Sequence, residues 1–306
     1  MTTSRRQIQR HGYIVIDKPA GWTSHDVVAA VRRVVGERRV GHAGTLDPAA
    51  VGVLPIAVGL ATRTVEYLST ATKGYRAGIT FGIETDSADA DGRLIAQRDA
   101  THLAEADIRV LLARFLGASM QRPPALSAIK SGGKRLYELA RRGTTVEIAE
   151  RAVWFYRLEL LSWSPPVLFV DIDCSKGTYI RALARDLGVA AGTGAHLSHL
   201  VRTRSGPFTL DDALPLAEIS DAIARLGWSG LAFHPDWALL DRDSVFLSPE
   251  LVDRWRHGVR VSVPGCQPGP VRVYDESGGW LGVGEALLEI GTIEPRKVFP
   301  LEFSES

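Results

Sequence analysis

The octapeptide Gly41-His42-Ala43-Gly44-Thr45-Leu46-Asp47-Pro48 sets one carboxylate at the tip of a Gly-rich loop. Pro48 steers Asp47 towards extended backbone, and Gly41 and Gly44 let a ligand approach with no Cβ in the way. Asp47 is therefore the leading candidate for a catalytic group. Asp-Pro beside glycine is also ordinary turn chemistry, so the same eight residues have a solvated-turn reading. The segments on either side decide between the two. Upstream, residues 13–16 form a short apolar run ended by Asp17-Lys18-Pro19, a strand entering a loop. Ser24 is a plausible N-cap for a helix whose apolar face is Val27, Val28, Val31, Val34 and Val35 before Gly36 stops it. Arg32, Arg33, Arg38 and Arg39 lead into the loop, and residues 53–58 beyond it read as a buried strand followed by a helical turn or two over 61–68.

Further along, Tyr75, Ala77, Ile79 and Phe81 alternate with Arg76, Gly78 and Thr80, the period of a half-buried strand with Tyr75 on its inward face. Residues 86–92 are an acidic loop of small residues, and Ile108, Leu111, Leu112 and Phe115 mark an amphipathic helix with Thr101 near its start. A second alternating strand runs over 167–174 into Ser175-Lys176-Gly177. There Thr178 is the expected N-cap of a helix with Ile180, Leu183, Ala184 and Leu187 as its stripe before Gly188. Arg181 falls in the first turn of that helix, where the macrodipole disfavours a cation, so an anionic partner is expected for it. After Trp237 short strands punctuated by glycine and proline appear at 259–263, 271–274 and 281–286, as in a small β-barrel-like domain. The expected organisation is a domain of residues 1–235 followed by a smaller one of 236–306.

With 306 residues, 45% of them hydrophobic, the chain has enough apolar surface for such a core. Cys174 and Cys266 lie far apart, which indicates neither a disulfide framework nor a zinc ribbon and fits a reducing cytoplasm. No stretch reaches the ~18 apolar residues of a membrane span, and the basic start of the chain reads as a short tail. The formal net charge is +1, but residues 122–151 carry seven Lys/Arg against Glu138, Glu147 and Glu150, hence +4, which leaves −3 for the remainder. Seven acids against Arg93 and Arg98 invert the balance over 84–107. A globally neutral chain can in this way present a phosphate-attracting face. Residues 121–150, with Pro123-Pro124 and Gly132-Gly133 and no clear period, have the composition of an insertion.

Other chemistries find little support. There is no HExxH, no GxxxxGK[ST] loop and no GxSxG elbow, and Gly192-Thr193-Gly194 lacks the third glycine of a dinucleotide fingerprint. His196 and His199 would share a face only on a helix, so no metal is expected.

Eight segments in register resemble the TruB family of pseudouridine synthases, the bacterial tRNA pseudouridine-55 synthases. They are Asp17-Lys18-Pro19, the Asp47 octapeptide, Gly52-Val53-Leu54-Pro55, Lys73-Gly74-Tyr75, residues 85–92, residues 123–130, residues 175–181, and Gly194-Ala195-His196 through Leu200. More loosely, Gly282-Val283-Gly284-Glu285-Ala286 and Pro295-Arg296-Lys297-Val298-Phe299 are similar to a PUA-type RNA-binding module. The resemblance implies an α/β (α+β) catalytic domain with a central mixed, mostly antiparallel sheet, a cleft and an RNA-clamping insertion at 121–150, and a PUA-like β-barrel behind it. It implies isomerisation of uridine 55 in the T-arm stem-loop of tRNA to pseudouridine, with no cofactor and no obligate protein partner. By the same resemblance the catalytic residues are Asp47, the nucleophile, Arg181, its partner, and Tyr75, a ring that stacks on the flipped base and a phenol that is a candidate for helping remove the C5 proton. Tyr179 and Leu200 line the base pocket, His42 contacts the substrate, and Lys18 is structural or positions RNA. Lys130, Lys134, Arg135, Arg141, Arg142 and Arg202 are expected on RNA.

Two positions depart from the pattern: Val201 stands where a basic residue is expected before Arg202, and Val51 replaces a small hydroxyl residue. Two alternatives share the Asp47 loop. A guide-RNA-dependent relative would lack the basic insertion, and a non-catalytic tRNA-binding or folding protein would have no need of Asp47, Tyr75 and Arg181 together.

Overall fold

A computed structural model of the chain describes residues 10–124, 130–131, 134–135, 149–263, 265–287 and 291–300. Among these, ten strands form one mixed sheet: β1 (Gly12–Lys18), β2 (Val40–His42), β3 (Val51–Val58), β4 (Lys73–Phe81), then, after the small pair β5 (Ile83–Thr85) and β6 (Leu94–Gln97), β7 (Gly117–Gln121). A second small pair, β8 (Lys130–Ser131) and β9 (Lys134–Arg135), precedes β10 (Arg151–Ser164), β11 (Val167–Cys174), β12 (Ala195–Ser205), β13 (Phe208–Thr209) and β14 (Leu214–Pro215). The order is β14-β1-β3-β12-β4-β11-β10-β7, with β2 beside β3 and β13 beside β12. Only β1/β14 and β3/β12 are parallel, so the expected mixed, mostly antiparallel sheet is what the chain forms.

Helices α1 (Ser24–Val35), α2 (Val65–Thr70), α3 (Glu105–Phe115), α4 (Ile180–Ala190) and α5 (Ile219–Leu226) pack around it. The alternation over β4 and β11 is realised: Ala77, Ile79 and Phe81 meet Leu168, Val170 and Ile172 in a core completed by α3 and α4. Trp163 sits edge-on to Phe81 there. The valine stripe of α1 packs on Ile14, Ile16, Leu54 and Ile56 in a second core.

The caps differ from expectation. Thr23 and not Ser24 is the N-cap of α1: its hydroxyl accepts from Asp26 N at 3.1 Å and the Asp26 carboxylate accepts from Thr23 N at 2.9 Å, a capping box. Helix α4 begins at Ile180 with Tyr179 as its N-cap, one residue beyond the expected Thr178, whose hydroxyl instead donates to Ser175 O. Its end passes Gly188 by two residues to Ala190. Helix α3 starts at Glu105 and not near Thr101, because the Asp107 carboxylate accepts from Ala104 N at 2.9 Å.

The smaller C-terminal sheet has five strands, β15 (Ser244–Leu247), β16 (Val261–Ser262), β17 (Gly269–Asp275), β18 (Trp280–Leu287) and β19 (Thr292–Val298), in the order β15-β17-β18-β19-β16. Strands β15 and β19 and the helix α6 (Pro249–Arg256) add to the three stretches read from the sequence. Helix α6 seats the buried Trp255, whose indole donates to Leu281 O at 3.3 Å. The expected boundary at 235/236 cuts a 3-10 segment, Pro235–Leu239, that belongs to both neighbours. Trp237 of that segment stacks on Phe208, and Asp236 accepts from the Tyr274 hydroxyl.

Candidate active site

The octapeptide lies between β2 and β3 and is tied down on several sides. Gly44 adopts φ +102°, a region that favours glycine, and this lets the chain turn under the cleft. Ser24, the buried first residue of α1, brackets Leu46: its hydroxyl accepts from Leu46 N at 2.9 Å and donates to Leu46 O at 3.2 Å. The Lys18 ammonium donates to Pro19 O, Trp22 O and Pro48 O at 2.9, 2.6 and 3.0 Å, and Gly21 N donates to Pro48 O at 2.9 Å. The residues immediately before and after Asp47 are therefore both clamped, which leaves its side chain as the free end.

That side chain rises from the floor of a cavity of about 540 Å³, walled by Lys73, Tyr75, Tyr179, Leu200 and Arg181 among others. The volume suits one nucleobase with its sugar. Arg181 Nε stands 3.0 Å from Asp47 Oδ2, with the arginine side chain 8% exposed and the carboxylate 45% exposed. Its Nη1 reaches Asp89 Oδ2 at 3.2 Å, out of the acidic loop. Arg181 in the first turn of α4 thus finds the anionic partner its position demanded, and finds two. Burial at the cleft floor raises the Asp47 carboxyl above its ordinary value, Arg181 pulls it back, Asp89 adds to the rise and Lys18 opposes it. The resulting carboxylate is more basic than an exposed one, held at a fixed angle and reachable from solvent, as a nucleophile or general base requires.

Tyr75 is the third residue of β4, and burial raises its phenol above the ordinary value while Arg202 acts against that rise. Tyr179 is held by the buried Gln121, whose carbonyl accepts from Tyr179 N at 2.8 Å and whose amide donates to Tyr179 O at 3.1 Å. The guanidinium of Arg151 lies over the Tyr179 ring, 5.9 Å from its centroid. At the end of α2 the Lys73 ammonium donates to Leu68 O, Ser69 O and Ala71 O at 3.1, 3.0 and 2.6 Å, and burial pushes it down to about 8.

A family model described as TruB family pseudouridylate synthase (N terminal domain) matches residues 32–180. Models for the tRNA pseudouridylate synthase B C-terminal domain and for pseudouridine synthase II TruB, C-terminal, match 181–228 and 244–299. The tRNA pseudouridine synthase B of Symbiobacterium thermophilum is 50% identical over 82% of this chain and 83% of its own. The enzyme of that name from Gloeobacter violaceus is 48% identical over 94% and 99%. The chain belongs to the TruB family of pseudouridylate synthases. Among solved TruB-like folds, a chain of a Cbf5-Nop10-Gar1 complex superposes with a TM-score of 0.77 at 28% identity, covering 98% of this chain and 88% of that one. A chain of an H/ACA RNP bound to a substrate RNA containing 2'-deoxyuridine gives 0.75 at 26%, with the same coverage.

Of the residues expected from the TruB resemblance, Asp47, Tyr75, Arg181, Tyr179 and Leu200 converge on the cavity. His42 stands outside its lining, on β2, its ring edge-on to His25 at 5.2 Å. Burial, with His25 and Arg202, pushes it down to about 4, so it is a neutral imidazole at physiological pH.

Two of the expected cations are turned to backbone. Lys18 takes the structural of its two expected roles, fully buried beneath the loop and donating to three carbonyls. Arg202 lines the cavity but is only 1% exposed, with Nε donating to Val53 O at 2.7 Å and its two amino groups to Gly44 O at 3.1 Å and Thr45 O at 3.4 Å. Strand β12 lies inside the sheet between β3 and β4, which brings the Val53, Gly44 and Thr45 carbonyls within reach of Arg202. The two departures, Val201 and Val51, are cross-strand partners in the β12/β3 pair, so an apolar pair replaces a polar one at that point.

In the insertion, Lys130–Ser131 pairs with Lys134–Arg135 through the backbone, while Arg141 and Arg142 lie outside the described residues. Segment 195–205 is a strand, so His196 is buried against Ile83 O and His199 is exposed, and the two share no metal-binding face. Ser24, Lys73, Asp89 and Gln121 are the site residues that sequence reading missed. Of these Asp89 carried a signal as one acid of the loop at 86–92, and Lys73 as the first residue of the Lys73-Gly74-Tyr75 segment.

Proposed function

We propose that the protein converts uridine 55 in the T-arm of tRNA to pseudouridine. The bond from ribose C1′ to uracil N1 breaks and one from C1′ to C5 forms, the C5 proton leaves to solvent, and N1 takes up a proton. Atoms balance with no redox change and no transferred group. The observation that carries this reading is the Asp47–Arg181 pair, 3.0 Å apart at the floor of a base-sized cavity in a TruB-family chain.

Uridine in a folded arm must leave its stack to meet that carboxylate. Tyr75 supplies a replacement ring and, with its ionisation raised by burial, keeps its phenolic proton at neutral pH in the resting site. Asp47 is the nucleophile and Arg181 keeps it ionised and aimed. Tyr179 and Leu200 bracket the base, and His42 meets the strand at the rim. Lys130, Lys134, Arg135, Arg141 and Arg142 engage phosphates as the clamp. Residues 236–306 form the PUA-like RNA-binding domain that follows a catalytic domain of 1–235.

The relatives named tRNA pseudouridine synthase B favour a stand-alone cytoplasmic enzyme over a guide-dependent one. The purified protein, given only a T-arm transcript tritiated at uracil C5, should release tritium to water, and Asp47→Asn should not. Tight binding without release would overturn the catalytic reading, and release that needs an added protein or guide RNA would overturn the stand-alone one.

A further inference from the structure

Arg202 is a fully buried cation, and among the described residues no carboxylate lies within ion-pair distance of it. A guanidinium withdrawn from water costs several kcal/mol unless its donors are satisfied. Its hydrogen-bond partners instead come from the catalytic apparatus. Two are carbonyls of the Asp47 loop, Gly44 O and Thr45 O, and a third is Val53 O in the strand that follows the loop.

The fourth partner is Tyr75. In the antiparallel β12/β4 pair Arg202 lies directly opposite Tyr75, the arrangement that brings two side chains on one face to within ~5 Å at Cβ. Both side chains line the same cavity. Of the groups around the phenol the guanidinium most opposes the rise in its ionisation, and as a donor-only group it can meet the phenolic oxygen only as an acceptor, which would free the phenol's own proton for the cleft. The chain also makes room for this arrangement. Gly52, the parallel partner of Arg202 on β3, has φ +98°, and a Cβ there would stand 2.3 Å from Arg202 O.

We propose that Arg202 is a positioning residue for the isomerisation: one buried guanidinium joins the Asp47 loop to the Tyr75 phenol and polarises that phenol as a hydrogen-bond donor to the uracil. The proposal rests on the uridine-isomerising function above. Once C1′–N1 breaks, the detached uracil carries negative charge over its carbonyl oxygens. A donor already fixed and backed by a cation lowers the barrier at that moment without reorganising. Nothing in this role requires Arg202 to touch RNA.

The test is a double-mutant cycle read by single-turnover tritium release and by tRNA Kd, using Arg202→Lys, Arg202→Met, Tyr75→Phe and the combinations. Arg202→Met should slow the chemical step about a hundredfold with Kd within about threefold, because a shift of ~1 Å at the reacting groups is enough for such a loss. Arg202→Lys, which keeps the charge but not the fork, should recover part of the rate. In the Tyr75→Phe background either Arg202 substitution should cost about tenfold less, as coupled neighbours do. Equal costs in both backgrounds, or a loss carried by Kd, would overturn the proposal. If Arg202→Met melts below the assay temperature, the Arg202→Lys cycle decides alone. Absence of release from the wild-type protein would instead overturn the proposed function, so the two failures are distinguishable.

Discussion

The cations under the cleft and those on the outer face of the same sheet are the same residue types in opposite circumstances. On the outer face Arg76 and Arg157 share Asp171 at 2.9 and 3.0 Å, and Arg204 takes Asp173 at 2.7 Å, all with substantial exposure. Under the cleft Lys18, Lys73 and Arg202 are buried and use backbone carbonyls instead. The difference has an electrostatic consequence. A carboxylate supplied to each buried cation would have put more negative charge around Asp47 and driven its carboxyl further towards protonation. Carbonyl partners satisfy the donors and leave the positive charge acting on Asp47.

This contrast can be broken at graded points. Asp47→Asn should lower single-turnover tritium release by at least about four orders of magnitude while leaving tRNA Kd nearly unchanged, since it removes the proposed nucleophile and little else. Arg181→Met should cost about a hundredfold or more in the same assay. It should also move the acid limb of the pH profile upward: attack needs ionised Asp47, burial already raises that carboxyl, and loss of Arg181 removes the largest opposing influence. An unmoved acid limb would mean that another group controls it. Lys18→Met strands the Pro19 and Trp22 carbonyls, Pro48 O keeping its bond from Gly21 N, and should destabilise the fold by about 2 kcal/mol, read as a lower urea midpoint. Neutralising Lys130, Lys134, Arg135, Arg141 and Arg142 should weaken tRNA binding and flatten its salt dependence by about one unit for each phosphate no longer paired. Arg76→Ala, on the outer face, should change stability by no more than about 1 kcal/mol, because its exposed pair is screened.

The sequence showed elements whose signal is local. Alternation over 75–81 and 167–174, the valine stripe of α1 and the small-residue loop around Asp47 each depend on near neighbours in the chain, and each is realised except that Val34 of the stripe is exposed. What it hid depends on neighbours brought in from afar. Arg202 read as a surface cation because nothing in 195–205 reveals that β3 and β4 flank it. Ser24 read as a helix cap because its true partner, Leu46, is 22 residues away. Thr178 lost the cap to a helix entry bracketed by Gln121, 58 residues upstream of Tyr179. Helix α6 was legible: Ser248-Pro249 with Leu251, Val252 and Trp255 is an N-terminal signal ahead of an apolar stripe, obscured by the glycine- and proline-rich strands around it.

The C-terminal sheet does not hang from a linker. Trp280, Val283 and Phe299 share one apolar core with Tyr13, Phe208 and Leu239. Arg63 places its guanidinium 4.6 Å from the Phe299 ring centroid and donates to Val298 O at 2.8 Å. Two units that share a core cannot lose it separately, so calorimetry should record one cooperative endotherm for the whole chain. A protein ended after residue 235 should precipitate, because it would bare the tryptophan-facing side of that core to water.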